Sequence, residues 1–197
     1  MKKSGKLGSV KLPELSEAYQ KAMYWFFSFP DREIGLNDLS LELGIAKNTA
    51  KIVIELMEND GFIVKKVHGK AWRITCNKQH AYNYTRKVAF NLGIVFEAYA
   101  GGLRNQIFDI VGNAKAVILF GSYRKGDDTE KSDIDIAVEV LDNKDIRLVN
   151  LGTIPRLGYR QNVPVNLHIF SRNKIDMNLF SNIANGIVIE GFLEVRP

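Results

Sequence analysis

The sequence predicts an α+β chain in which N-terminal helices and a hairpin are joined by a helical connector to a C-terminal mixed sheet with flanking helices. Three observations carry that expectation. Between residues 15 and 57, apolar side chains recur at helical spacing and are cut by Pro30 and Gly44, with Gly61 just beyond. From residue 116 the pattern changes to an apolar run and then strict alternation, the period of a strand. Residues 79–113, between them, are helical and apolar, and Gly93 with the pair Gly101-Gly102 breaks them into two helices about a hinge. The expected units are therefore residues 1–78, 79–113 and 114–197.

A chain of 197 residues with 46% apolar content holds enough material for one large or two small cores. No apolar run approaches the roughly eighteen residues of a membrane span. The basic stretch MKKSGKLGSVKLPEL lacks the apolar segment of a secretory signal. Cys76 is the only cysteine, which excludes a disulfide framework and leads to the expectation of a cytoplasmic protein. Residues 1–80 hold 13 Lys and Arg against 9 Asp and Glu, whereas residues 81–197 hold 14 against 13. The basic excess is thus N-terminal, where nucleic acid is the expected partner.

In chain order, Ala18, Ala22, Met23, Trp25 and Phe26 place one face of a first helix on a core, and Pro30 ends it. Leu36-Asn37 offers an N-cap to a short helix over residues 38–43, stopped by Gly44. A longer helix opens at Lys47 or Asn48, with Ala50, Val53, Ile54, Leu56 and Met57 as its apolar side, and Asn59-Asp60-Gly61 closes it. Two strand-like pieces, residues 62–67 and 71–75, are joined by His68-Gly69-Lys70. Helix, helix, turn, helix, hairpin is the order of a winged helix-turn-helix, and LNDLSLELGIAKNTAKIVIELMENDGFIVKK resembles that family. The resemblance implies a DNA reader whose third helix presents Lys47, Asn48, Thr49 and Lys51 to the major groove. Its hairpin would offer Lys65, Lys66, His68, Lys70 and Arg73 to phosphates. Such modules also dock proteins or dimerise, and the apolar stretch from Val88 to Val111 is the expected contact of a homodimer. Tyr82, Tyr84, Phe90, Phe96 and Tyr99 are expected in a core or interface.

The chemistry concentrates in KAVILFGSYRKGDDTEKSDIDIAVEV, residues 115–140. A buried strand, residues 116–120, stops at Gly121-Ser122, where glycine lets the backbone turn tightly and approach a ligand. Residues 132–138 alternate, so Asp133 and Asp135 share one strand face while Ile134, Ile136 and Val138 face a core. Two carboxylates on one face suit a divalent cation, and Mg²⁺ is normally held by one or two carboxylates together with substrate phosphates. The Gly-Ser turn would supply amides and a hydroxyl to those phosphates. This succession resembles the nucleotidyltransferases of the DNA polymerase β superfamily, and among them the minimal prokaryotic type. The resemblance implies that Gly121 and Ser122, with Arg124 and Lys125, hold the phosphates of a nucleoside triphosphate, most simply ATP. By the same resemblance Asp133 and Asp135 hold Mg²⁺. The family usually carries Arg where this chain has Lys125.

The family's third carboxylate lies on a later strand of the pattern apolar, Asp, apolar. The matching stretch, residues 164–170, places Asn166 there, so the implied catalytic set is Asp133, Asp135 and Asn166. An amide adds no negative charge and cannot act as a base. Glu139 shares a face with Asp135 but lies about 13 Å along the strand. His168 is expected as a half-exposed strand histidine, and Asp127, Asp128 and Glu130 as a solvated loop. Two readings follow. One is a transferase acting on a macromolecular hydroxyl, for which the family implies a HEPN-type partner protein as acceptor. The other is a DNA-binding regulator that senses nucleotide without transferring it. Beyond this stretch, residues 141–145 are expected to turn into a helical piece that Gly152 and Pro155 end or kink, with Arg147, Arg156 and Arg160 facing solvent. A helix over residues 176–184 and a closing strand over residues 186–193 complete the chain.

Overall fold

Ser16 starts the first helix, α1 (Glu17–Ser28), by accepting a hydrogen bond from the Tyr19 amide on its hydroxyl. The computed structural model describes residues 15–69 and 71–195. Helix α2 (Leu36–Leu43) ends at Gly44, whose φ of 63° is the left-handed conformation that glycine adopts without strain. Its N-cap is Gly35 rather than Asn37, so the helix begins slightly earlier than expected. Helix α3 (Lys47–Asn59) leads into the antiparallel hairpin β1 (Ile63–His68) and β2 (Ala71–Cys76). Trp25, Phe26, Leu39, Ile54, Met57, Phe62 and Ile74 form the core of this unit. Leu56, expected on the apolar side of α3, is instead 52% exposed, because the buried face is set by Ala50, Val53, Ile54 and Met57.

The connector contains a 3-10 turn (Ala81–Asn83), helix α4 (Arg86–Ala98), a π-helical turn (Tyr99–Leu103) and helix α5 (Arg104–Val111). Gly102, with φ 137°, makes the expected break, whereas Gly93 lies inside α4 without interrupting it. Phe90 of α4 stacks on Tyr24 of α1 with ring centroids 4.5 Å apart, so the connector packs on the N-terminal helices. Its other side supplies Val95, Tyr99, Leu103 and Ile107 to the core of the C-terminal sheet.

That sheet has five strands in the order β5-β6-β4-β3-β7. They are β3 (Ala116–Phe120), β4 (Ile134–Glu139), β5 (Arg147–Leu157), β6 (Arg160–Phe170) and β7 (Ile187–Gly191). Only β4 and β6 run parallel, which makes the sheet mixed. Ile134, Ile136 and Val138 face the connector helices. Ala116, Ile118, Phe120, Ala137 and Phe170 face helix α7 (Met177–Ala184), which is capped by Asp176. Helix α6 (Gly121–Lys125) follows β3 directly.

One expected element is overturned. The stretch read as a helical piece is β5, an edge strand paired antiparallel with β6. Gly158, at φ 60°, opens a two-residue turn that sets Leu157 opposite Arg160. Gly152, at φ 90°, and Pro155 do not break a helix. The glycine sits in a bulge between Asn150 and Thr153, and β5 is an edge strand, where proline is tolerated.

Candidate nucleotide site

Both readings of the C-terminal unit depend on whether the Gly-Ser turn and the Asp-Ile-Asp strand meet, and the sheet register decides this. Antiparallel pairing of β3 with β4 sets Phe120 opposite Asp135, so the strand that ends in Gly121 delivers that glycine beside the carboxylate. Gly121 has φ 73°, and a β-carbon on it would lie 2.6 Å from Asp135 Oδ2. The chain reverses there into α6, which carries Ser122, Arg124 and Lys125.

Parallel pairing of β4 with β6 sets Asp135 opposite Asn166. Asn166 Nδ2 donates to Asp133 Oδ2 at 3.0 Å, and its Oδ1 accepts from Asn150 Nδ2 at 3.4 Å. His168 Nε2 lies 3.3 Å from Asp135 Oδ1, and its ring meets Phe120 edge-on at 5.0 Å. His168 therefore belongs to the site rather than to an open strand face. Asp133, Asp135, Asn166 and Gly121 are brought together, and Asp133 and Asp135 are both half-buried. Glu139, as expected, is remote and is buried against Arg172 and Lys115. Among the described residues no three His, Cys, Asp or Glu side chains cluster as a metal cage. Two carboxylates on one strand face fit the manner in which Mg²⁺ is held together with substrate phosphates, while Asn166 presents its amide NH₂ to Asp133 and its oxygen to Asn150.

The loop between α6 and β4 departs most from expectation. Asp128 is 3% exposed. It pairs with Lys87 Nζ at 3.3 Å and accepts from Asn91 Nδ2 at 2.7 Å, while Lys87 also donates to the Asp128 carbonyl. Burial pushes the Lys87 ammonium below and the Asp128 carboxyl above their ordinary values, and each draws the other back. Asn91 also donates to the Tyr123 carbonyl in α6. Arg160, expected in solvent, is buried and donates to the Tyr123 hydroxyl, the Glu130 carbonyl and the Ser132 carbonyl. It thus ties α6 to the residue just before Asp133. Lys87 and Asn91 are four residues apart on an apolar helix, and that spacing on one face was the available sign of a buried polar role.

In the N-terminal unit Lys47, Asn48, Thr49, Lys51, Lys66 and Arg73 are exposed. Lys51 lies 3.9 Å from Glu55, and Arg73 pairs with Glu33 at 2.9 Å. Lys65 folds back onto Glu58 and over the Trp72 ring. Lys70 lies outside the described residues.

Residues 105–190 match the family model described as Polymerase beta, Nucleotidyltransferase. No curated protein and no solved structure matches the chain. None of the helices described is long and apolar enough to cross a membrane. The matched stretch runs from α5 into β7 and encloses the Gly-Ser turn, both aspartates and Asn166, and it supports a nucleotidyltransferase domain of the DNA polymerase β superfamily over residues 105–190.

Proposed function

We propose that this chain transfers a nucleoside monophosphate from Mg²⁺-bound ATP, or another nucleoside triphosphate, to a hydroxyl of a second macromolecule. The contact between Gly121 and the Asp135 carboxylate carries the reading, because it joins a phosphate-accepting turn to a metal-accepting strand. Asp133 and Asp135 hold Mg²⁺, which when bound neutralises phosphate charge and orients the triphosphate. The Ser122 hydroxyl and the backbone of the turn receive phosphate oxygens, while Arg124 and Lys125 offset the charge that grows on the leaving group. The acceptor oxygen forms the new bond to the α-phosphorus as the bond to the β-phosphate bridge breaks, pyrophosphate leaves with that electron pair, and the acceptor proton passes to solvent. A HEPN-type partner protein is the acceptor proposed first.

The N-terminal unit, residues 1–78, is proposed as a winged-helix DNA contact in a cytoplasmic protein. Support comes from the three helices followed by a hairpin and from Lys47, Asn48 and Thr49 lying exposed at the start of α3. The exposed Phe96 and Ile110 of the connector support a homodimer through the stretch from Val88 to Val111.

A second reading, nucleotide sensing without transfer, is favoured by Asn166, whose amide donates to Asp133 where a third carboxylate would share the metal. Incubation with α-labelled ATP and Mg²⁺, with and without a HEPN-type partner protein, separates the two. Label that reaches a macromolecule and is lost in Asp133→Ala establishes transfer. Mg²⁺-dependent ATP binding by calorimetry without any transfer establishes sensing. Absence of both removes the nucleotide from the account.

A further inference from the structure

His168 stands two residues beyond Asn166 on the same face of β6, with its side chain 19% exposed and its ring held edge-on to Phe120 at 5.0 Å. Its Nε2 lies 3.3 Å from Asp135 Oδ1. Nδ1 makes no hydrogen bond among the described residues, so it is free to carry the ring proton and leave the Nε2 lone pair turned to the carboxylate. Adjacent ligands of an octahedral cation, each held at about 2.1–2.3 Å, lie roughly 3 Å from one another. The separation of Nε2 and Oδ1 is close to that edge. Asn166 offers nothing comparable, because its NH₂ faces Asp133 and its oxygen faces Asn150.

Carboxylate and phosphate oxygens suit Mg²⁺ and Mn²⁺ alike, and both ions take octahedral geometry. An imidazole nitrogen separates them, since Mg²⁺ is a hard ion served by oxygen and Mn²⁺ belongs to the first-row ions that accept nitrogen as well. The described residues do not bring together the three His, Cys, Asp or Glu side chains of a Zn²⁺ site. The remaining positions of the ion therefore fall to phosphate oxygens and water, with Asp133 beside them. We infer that His168 is a ligand of the divalent cation at Asp135 and biases the nucleotide site towards Mn²⁺ over Mg²⁺. The ligand that the strand lacks at Asn166 is thereby supplied two residues further along. This rests on the nucleotide reading above and adds a residue that the Gly-Ser and Asp-Ile-Asp motifs do not contain.

The test uses the full chain as wild type, His168→Phe and His168→Asp, each with and without ATP. Pulsed electron paramagnetic resonance of bound Mn²⁺ reads nitrogen coupling, and calorimetry reads the affinities for Mn²⁺ and Mg²⁺. Phenylalanine keeps a ring against Phe120 while removing the nitrogen, and thermal unfolding checks that both variants remain folded. Wild type is expected to show Mn²⁺ coupled to an imidazole nitrogen. His168→Phe abolishes that coupling and weakens Mn²⁺ at least tenfold, with Mg²⁺ changed less than threefold. His168→Asp binds both cations without nitrogen coupling and lowers the ratio of Mn²⁺ to Mg²⁺ affinity. Absence of coupling in wild type, or coupling that persists in His168→Phe, overturns the inference. Equal losses for the two cations overturn it as well and make His168 a positioning residue for Asp135. In each of those cases ATP bound with Mg²⁺ leaves the nucleotide reading standing. Failure of wild type to bind ATP with either cation overturns the nucleotide reading itself, and this inference with it.

Discussion

The Asp135 carboxylate occupies the space that a β-carbon on residue 121 would need: its Oδ2 lies 2.6 Å from that position. Gly121 thus serves two constraints, a φ of 73° and contact with an acid from the neighbouring strand. Gly121→Ala is expected to cost about 1–2 kcal/mol through the backbone conformation. Asp135 must also move. Mg²⁺-dependent ATP binding should fall at least tenfold, measured by calorimetry beside a urea unfolding curve. Unchanged binding in a destabilised variant would mean that Asp135 has no part in the nucleotide site.

Asn166→Asp sets a second carboxylate against Asp133, where the amide now donates at 3.0 Å. Without metal the two like charges repel, so the melting temperature should drop. Mg²⁺ should restore it and raise it more than in wild type, since a ligand that binds only the folded form stabilises that form. If loss of the third acid limits turnover, label transfer also rises. An Mg²⁺ response equal to that of wild type would remove Asn166 from the metal's surroundings.

Lys87→Met strands the buried Asp128 carboxylate without its cation. Breaking such a pair costs about 3–5 kcal/mol. Combining it with Asp128→Asn removes the stranded charge and should recover part of the loss in urea unfolding. Equal instability of the single and double variants would show that packing of the lysine stem, rather than the ion pair, anchors the loop.

Glu190 of β7 receives two hydrogen bonds from the Arg104 guanidinium, at 2.7 and 2.8 Å, and one from the Tyr99 hydroxyl at 2.7 Å. Arg104 first and Tyr99 second hold its carboxyl below the ordinary value. A depressed carboxyl stabilises the fold above its unfolded value, and that contribution is lost as pH falls through the folded one. Melting temperatures taken downward from about pH 6 should therefore fall more steeply for wild type than for Glu190→Gln below about pH 4.5. Parallel curves would assign the acid sensitivity to other groups.

The parts of this chain that were legible in its sequence are those governed by local period and turn chemistry. Alternation at residues 132–138 fixed the faces of Asp133 and Ile134, and the register then carried the aspartates to Gly121. Asn166 was legible as a residue on the face of a later strand, and the parallel pairing sets it opposite Asp135. Strand β5 was misread because glycine and proline punctuate both helix ends and bulged edge strands, and only pairing with β6 tells them apart. Asp128, in a loop, and Arg160, at the start of β6, were misread because a charged residue beside a turn looks solvated unless its distant partner is known. Lys87 lies 41 positions from Asp128, and Tyr123 lies 37 from Arg160, separations that no local pattern spans.

The same long-range bonds bear on how the molecule can be divided. The family model starts at residue 105, yet the loop before Asp133 is held from α4, and Gly126 abuts the Asn83 carbonyl so closely that no side chain fits between them. A fragment cut at the motif boundary would keep every signature residue and lose Lys87, Asn91 and the Asn83 turn. The smallest piece able to hold its own aspartates in place therefore begins ahead of Ala81, inside what the sequence presents as a linker.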